Sequence, residues 1–299
     1  MHQSFVHSVR RPLLALGAVA MLVIPLAGCM RSDTGSAHRE TVYERVIRTG
    51  TIRASYANYP PYCIKDANTG KLSGIFVDVL EEVSQRLKLK IDWVEEVGFG
   101  TIFEGLNSNR EDIFGAGVWR NSTRGKVGDF SDPLFFNVIN VYGRSDESRF
   151  SSLSQLDDPA VKVATQDGAI DDIIAKSDFP KANRVSVPQL NPWSDVLLNI
   201  TTRKADLTFA EPAVINLYEE KNPGTLKQLI AGKPVRVFAN TYALKMDEPS
   251  FKAMINSALA EIAADGTLEK ILARYEKHPG EFYRLAPPYV LPSETTSTH

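Results

Sequence analysis

Segments rich in strand-forming residues alternate with apolar stripes at helical spacing along this chain, and that alternation leaves few folds open. Residues 51–57 and 91–94 carry strand-type side chains. Between them Val77, Leu80, Val83 and Leu87 recur at helical steps, so the three segments read as a βαβ unit. Ile102, Phe103 and Leu106 then form a second helical stripe ahead of residues 112–118, a run interrupted by Gly115 and Gly117 that reads as a buried strand. A crossover helix between strands makes them parallel, and a parallel sheet needs helices over both faces.

A second series follows Arg144. Residues 161–165 read as a strand, 169–176 as a helix, 184–187 as a strand, 193–203 as a helix and 206–210 as a strand. A further strand is expected at 235–238. An amphipathic helix with Ile255, Leu259 and Ile262 on one stripe is expected over 251–264, stopped by Gly266, with a last helix over 268–275. Two α/β units of similar size thus follow one another. No Walker loop, Gly-rich dinucleotide fingerprint or G-x-S-x-G elbow interrupts them, so nucleotide-dependent or triad chemistry is not indicated.

The ends read differently. Arg10 and Arg11 precede an apolar run from Leu13 to Ile24, which is followed by Leu26-Ala27-Gly28-Cys29. A charged start, a short apolar centre and small residues before a cysteine make an export signal, and the run is too short to span a bilayer as a helix. The last four residues resemble the lipobox of bacterial lipoproteins, which implies that residues 1–28 are removed and that Cys29 takes the lipid. Residues 29–45 are expected to be a flexible tether and 291–299 a disordered tail, because neither holds enough apolar surface to repay ordering. About 245 residues remain, enough for one large domain or two modest ones.

The full chain has 34 basic and 36 acidic residues. Loss of the leader removes two arginines and no acid, leaving a net charge of about −4, which argues against a nucleic-acid partner. Beyond Cys29 the one remaining cysteine is Cys63, so no internal disulfide is possible. No His-rich or Cys-rich cluster has ligand spacing; neither a metal site nor a cofactor is expected.

From Thr51 onward the order of motifs resembles the family 3 extracellular solute-binding proteins, which include the periplasmic polar amino-acid receptors of ABC transporters. The resemblance spans roughly residues 46–275. It is carried by Tyr59-Pro60-Pro61-Tyr62, Gly74-Ile75-Phe76-Val77-Asp78-Val79, and Gly105-Leu106 followed by Asp112. Ser122-Thr123-Arg124-Gly125-Lys126, Asp129-Phe130-Ser131-Asp132-Pro133, residues 206–212 and Ala264-Asp265-Gly266-Thr267-Leu268 complete it. It implies the two-lobed type II periplasmic binding protein fold, an α/β architecture in which each lobe is a mostly parallel sheet flanked by helices and two hinge strands join the lobes. Lobe 1 would hold residues 46–142 and 239–290, and lobe 2 residues 143–238, with hinges near Tyr142 and Ala239. A ligand cleft at the carboxyl ends of parallel strands is also where such sheets place ligands on physical grounds.

The resemblance implies roles for individual residues. Arg124 stands at the family's carboxylate-binding arginine, whose planar guanidinium matches a carboxylate with paired donors. Glu211 stands where the family carries an acid for the ligand ammonium; read alone, an acid before Pro212 also suits a helix N-terminus. Tyr56, Tyr59, Phe99 and Trp119 fall on cleft-facing loops, with Gly117, Asn121 and Gln166 beside them, while Tyr62 and Phe103 are expected to be structural. Trp119 and Ile170 replace hydroxyl residues common in the family, and Phe76 replaces an acid. Backbone N–H groups of Gly168, Ala169 and Ile170 at a helix start could still hold an anion.

The function expected is therefore that of a substrate-binding lipoprotein, monomeric and lipid-anchored through Cys29 outside the cytoplasm. It would capture a small carboxylate-bearing solute, an amino acid or related amine, and deliver it to an ABC permease in the inner membrane. A sensory binder stays open as an alternative. So does an enzyme, because the same fold hosts a dehydratase branch and a desolvated Glu211 could act as a general acid.

Overall fold

The computed structural model describes residues 39–285. The expected leader, Cys29, residues 29–38 of the tether and the tail lie outside that range.

The first half begins with helix α1 (Val42–Thr49), then β1 (Thr51–Tyr56), a small hairpin of β2 (Ile64–Lys65) and β3 (Leu72–Ser73), α2 (Ile75–Arg86), β4 (Lys90–Glu96), α3 (Ile102–Asn107) and β5 (Ile113–Trp119). A short β6 (Asp129–Phe130) leads into the long β7 (Phe135–Arg144). The second series is β8 (Lys162–Gln166), α4 (Ile170–Asp178), β9 (Asn183–Val187), α5 (Ser194–Thr201), β10 (Leu207–Ala210), α6 (Pro212–Glu219) and β11 (Leu226–Gln228). The chain returns through β12 (Arg236–Leu244) and closes with α7 (Pro249–Ala264) and α8 (Thr267–Tyr275).

The strand order is β4-β1-β5-β12-β7-β10-β8-β9. β1 is parallel to β4 and β5, and β8 is parallel to β9 and β10, as the two βαβ series require. β12 and β7 run antiparallel to each other and to the strands on either side. They are the two connections between the lobes, and the expected boundaries at 142/143 and 238/239 fall inside them. The sequence reading of 235–238 caught only the start of β12. Its remainder reaches Leu244 because Thr241, Tyr242, Ala243 and Leu244 are buried between β5, β6 and β7.

The residues explain the packing. Ile75, Phe76, Val79, Leu80 and Val83 of α2 are buried on one face against the first sheet. Every residue of β5 is buried, and its glycines make room for what lies above them. A Cβ on Gly115 would come within 2.6 Å of the Trp93 ring, and one on Gly117, whose φ is +81°, within 2.1 Å of the Phe76 ring. Asp112, at the foot of β5, is buried and pairs with both Arg45 and Arg53, so that motif acid braces the lobe.

The tether expected through residue 45 ends earlier than the sequence suggested. Thr41 and Glu44 form a capping box, with Glu44 N donating to Thr41 Oγ1 at 3.2 Å and Thr41 N donating to Glu44 Oε2 at 2.9 Å. Val42 and Val46 are then buried, so α1 has an apolar anchor that composition alone hid. Past α8 the chain crosses to β7, where Tyr283 pairs with Phe136 and Phe282 packs against Tyr62 and Phe135. Cys63 is fully buried, and burial pushes its thiol up to about 12.

Candidate functional site

The carboxyl ends of β5 and β10 face each other across the two lobes and, with the start of α4 and the head of α5, line a narrow cavity of about 30 Å³. Two charged side chains line it.

Arg124 opens a single 3₁₀ turn, fixed by Asn121, whose Oδ1 accepts from Arg124 N at 2.9 Å. The arginine is 7 % exposed. Its Nη1 donates to the Trp119 carbonyl at 3.2 Å and its Nη2 to the Gly168 carbonyl at 3.3 Å, so the guanidinium touches both lobes. No carboxylate pairs with it among the described residues, and burial alone pulls the guanidinium down to about 10. Each terminal nitrogen keeps a second hydrogen for another acceptor.

Glu211 follows the last residue of β10 at the N-cap position of α6, makes no side-chain capping bond there, and is 1 % exposed. Its Oε2 accepts the Tyr59 hydroxyl at 2.7 Å, while its Oε1 is buried with no partner. Burial pushes this carboxyl up to about 7, against the opposing pull of the Tyr59 hydroxyl, its own backbone N–H and the nearby Asn137 amide. The two charges therefore line one cavity without an ion pair between them.

Aromatic rings form much of the wall. Tyr59 meets Phe99 edge-on at 5.8 Å and Trp193 edge-on at 5.6 Å, and it stacks on Tyr62 at 5.6 Å. Trp119 lies flat on Phe238 with ring centres 5.5 Å apart. Tyr59, Phe99, Gly117, Trp119, Arg124, Ala169, Ile170 and Glu211 thus come together at the cavity.

Four expected residues do not line it. Tyr56 turns its ring to Trp93, with the Lys65 ammonium 5.5 Å from its centre, because the last residue of β1 faces the flank of the sheet. Asn121 acts on Arg124 from outside the cavity. Gln166 donates to the Asn191 carbonyl at 2.8 Å and holds the loop before α5. Gly168 offers Arg124 its carbonyl, and its own N–H donates to Asp172 Oδ2 at 3.2 Å. Ala169 N likewise donates to the Gln166 carbonyl at 3.0 Å. The anion seat expected from these backbone groups is therefore already filled by the chain itself at two of its three positions.

Tyr62, Phe76, Trp193 and Asn240 line the cavity without having been expected there. Tyr62, expected to be structural, lines the cavity as well as stacking on Tyr59. Trp193 reads as an ordinary helix start in Pro192-Trp193-Ser194. Asn240 lies on hinge strand β12, opposite Trp119 in the ladder; it is 3 % exposed and its Nδ2 has no partner. Phe103 packs on Phe130, in keeping with a structural role.

The profile of the bacterial extracellular solute-binding proteins, family 3, matches residues 52–278. The chain belongs to this family. A family relative, the L-cystine-binding protein TcyA of Bacillus subtilis, is 25% identical, with 89% of this chain and 97% of TcyA aligned. Cyclohexadienyl dehydratase of Pseudomonas aeruginosa is also 25% identical, over 78% of this chain and 85% of that enzyme. Among solved structures, an ancestral arginine-binding protein bound to arginine shares the fold at a TM-score of 0.67 and 25% identity, covering 76% of this chain and 98% of that one. The two-lobed type II fold expected from the motifs is the one found. Family members are extracellular or periplasmic, and most of these relatives are binding proteins. Among the described residues there is no group of side chains suited to a metal ion, and no helix long and apolar enough to cross a membrane.

Proposed function

We propose that the protein is the solute-binding component of an ABC importer, held at the membrane as a monomer by a lipid on Cys29, and that it closes around an amino acid in its zwitterionic form. One observation carries this reading: a buried guanidinium and a buried carboxylate line the same cavity, and neither has a counter-charge. Leaving such charges unpaired away from water is costly, and a zwitterion supplies the missing partner to each at once. The ligand carboxylate meets the free hydrogens of Arg124 and the Asn240 amide, which replaces the hydroxyls absent at Trp119 and Ile170. The ligand ammonium meets Glu211 Oε1. Relatives with amino-acid-binding names support the assignment, as does the lipobox-like Leu26-Ala27-Gly28-Cys29 for the anchor.

The dehydratase relative favours an enzymatic second reading, in which Glu211, pushed to about 7, acts as a general acid. The cavity offers it no partner base in the neutral range, since burial holds the phenols of Tyr59 and Tyr62 well above their usual values. Denaturing the purified protein and identifying the released solute by mass spectrometry tests the main reading. An amino acid recovered unchanged after incubation supports it, whereas conversion of an added cyclic carboxylate would replace it with the enzyme.

A further inference from the structure

We infer that the amino acid this cavity takes has an uncharged, apolar side chain; the inference rests on the zwitterion reading above. Arg124 and Glu211 are the only ionised groups among the lining residues. The ligand's own carboxylate and ammonium occupy them. A third charge, on an arginine, lysine or glutamate side chain, would enter the closed cleft with nothing to pair with. Cystine, which carries a second carboxylate and a second ammonium, would bring two.

The walls argue the same way. Phe76, Phe99, Ala116, Val118 and Ile170 of the lining cannot hydrogen-bond through their side chains, and the hydroxyls of Tyr59 and Tyr62 are already engaged by Glu211 and Asn137. Phe76 lies over Gly117 and packs against Phe135 and Tyr242, so the apolar wall is backed by further aromatic rings.

A flat cation could still be held without an acid if two aromatic faces stood apart to receive it. They do not. Tyr59 touches both Phe99 and Trp193 edge-on, and one of its faces is covered by Tyr62. Two faces sandwiching a guanidinium need about 7 Å between them, twice an ordinary contact distance. No such slot exists between these rings.

Titration calorimetry on the full chain, freed of bound solute by dialysis, tests the inference with L-leucine, L-methionine and L-phenylalanine against L-arginine, L-lysine, L-glutamate, L-glutamine and L-cystine. At least one of the first three should bind, and each of the others at least about a hundredfold more weakly. If a charged or amide side chain or cystine bound as tightly, the inference would be overturned and the amino-acid reading would stand. If no amino acid bound at all, both would fall.

Discussion

The Tyr59 hydroxyl of the first lobe donates to Glu211 Oε2 of the second at 2.7 Å, so a single hydrogen bond joins the two sides of the cleft at the acid proposed to receive the ligand. Breaking it on opening returns Glu211 to water. The protonation of this acid and the position of the lobes are therefore coupled.

The sign of that coupling follows from the raised carboxyl. Glu211 titrates at about 7 in the closed protein and at an ordinary 4.5 when unfolded. The folded state thus binds the extra proton between these values. Its stabilising effect is complete below about 4.5 and is lost as pH rises through 7. Glu211→Gln should lie within about 1 kcal/mol of wild type at pH 5 and exceed it at pH 8, by up to about 3 kcal/mol in ligand-free protein. Asp171, pushed to about 8 by burial, adds a slope of the same sign to both proteins and so drops out of the comparison. Urea denaturation at the two pH values measures it; equal stabilities at pH 8 would remove the coupling.

Arg124→Ala should weaken binding of the natural solute by about 2 to 5 kcal/mol, thirtyfold to several thousandfold, since the ligand carboxylate would be buried without its partner. Arg124→Lys keeps a charge but loses the fork, and should recover only part of the loss. Calorimetry with thermal melts as a folding check reads this out. Near-native affinity in a well-folded Arg124→Ala protein would take the carboxylate away from this arginine.

Gln189 reaches from the second lobe to the backbone around Phe99. Its Oε1 accepts from Gly100 N at 3.2 Å, and a Cβ on Gly98 would stand 2.3 Å from it. The contact exists only when the lobes meet. Gln189→Ala should therefore speed solute release about threefold to tenfold with a smaller effect on association, because one hydrogen bond is worth about 1 kcal/mol. Stopped-flow tryptophan fluorescence measures both rates, and a change confined to association would contradict the assignment.

Cys29→Ala should leave the protein soluble after cell fractionation, since the acyl chains supply membrane affinity that a net acidic, lipid-free chain lacks. A variant that stayed with membranes through a high-salt wash would rule out the anchor.

Most of the scaffold was legible in the sequence. Strand and helix periods differ, so the βαβ series from Thr51 to Ala210 could be placed to within a few residues; the two glycines of β5 marked a buried strand, but not that Trp93 and Phe76 are what lies against them. Helix α1 was not legible, because its burial rests on only Val42 and Val46 within a polar stretch. In the site, Arg124 and Glu211 were readable from neighbouring motifs. Asn240 and Trp193 were not, since the first is a polar residue inside a strand and the second an aromatic at a helix start, and only the meeting of the lobes turns either toward the cavity. The Gly168 and Ala169 amides misled for the opposite reason: a helix start advertises free donors, but nothing local reveals that Asp172 and the Gln166 carbonyl have already taken them.

Gly168, at a φ of +74°, rests directly on Gly100, where a Cβ would lie 2.5 Å from the opposite Cα. Main chain against main chain is an end stop with nothing compressible in it. Side chains at such a point would let the lobes settle at different angles around solutes of different size, whereas two glycines let them travel to one limit and no further. The shape offered to a membrane partner is then set by the protein rather than by its cargo, and a solute too bulky for that limit yields not a slightly wider receptor but one that has failed to shut.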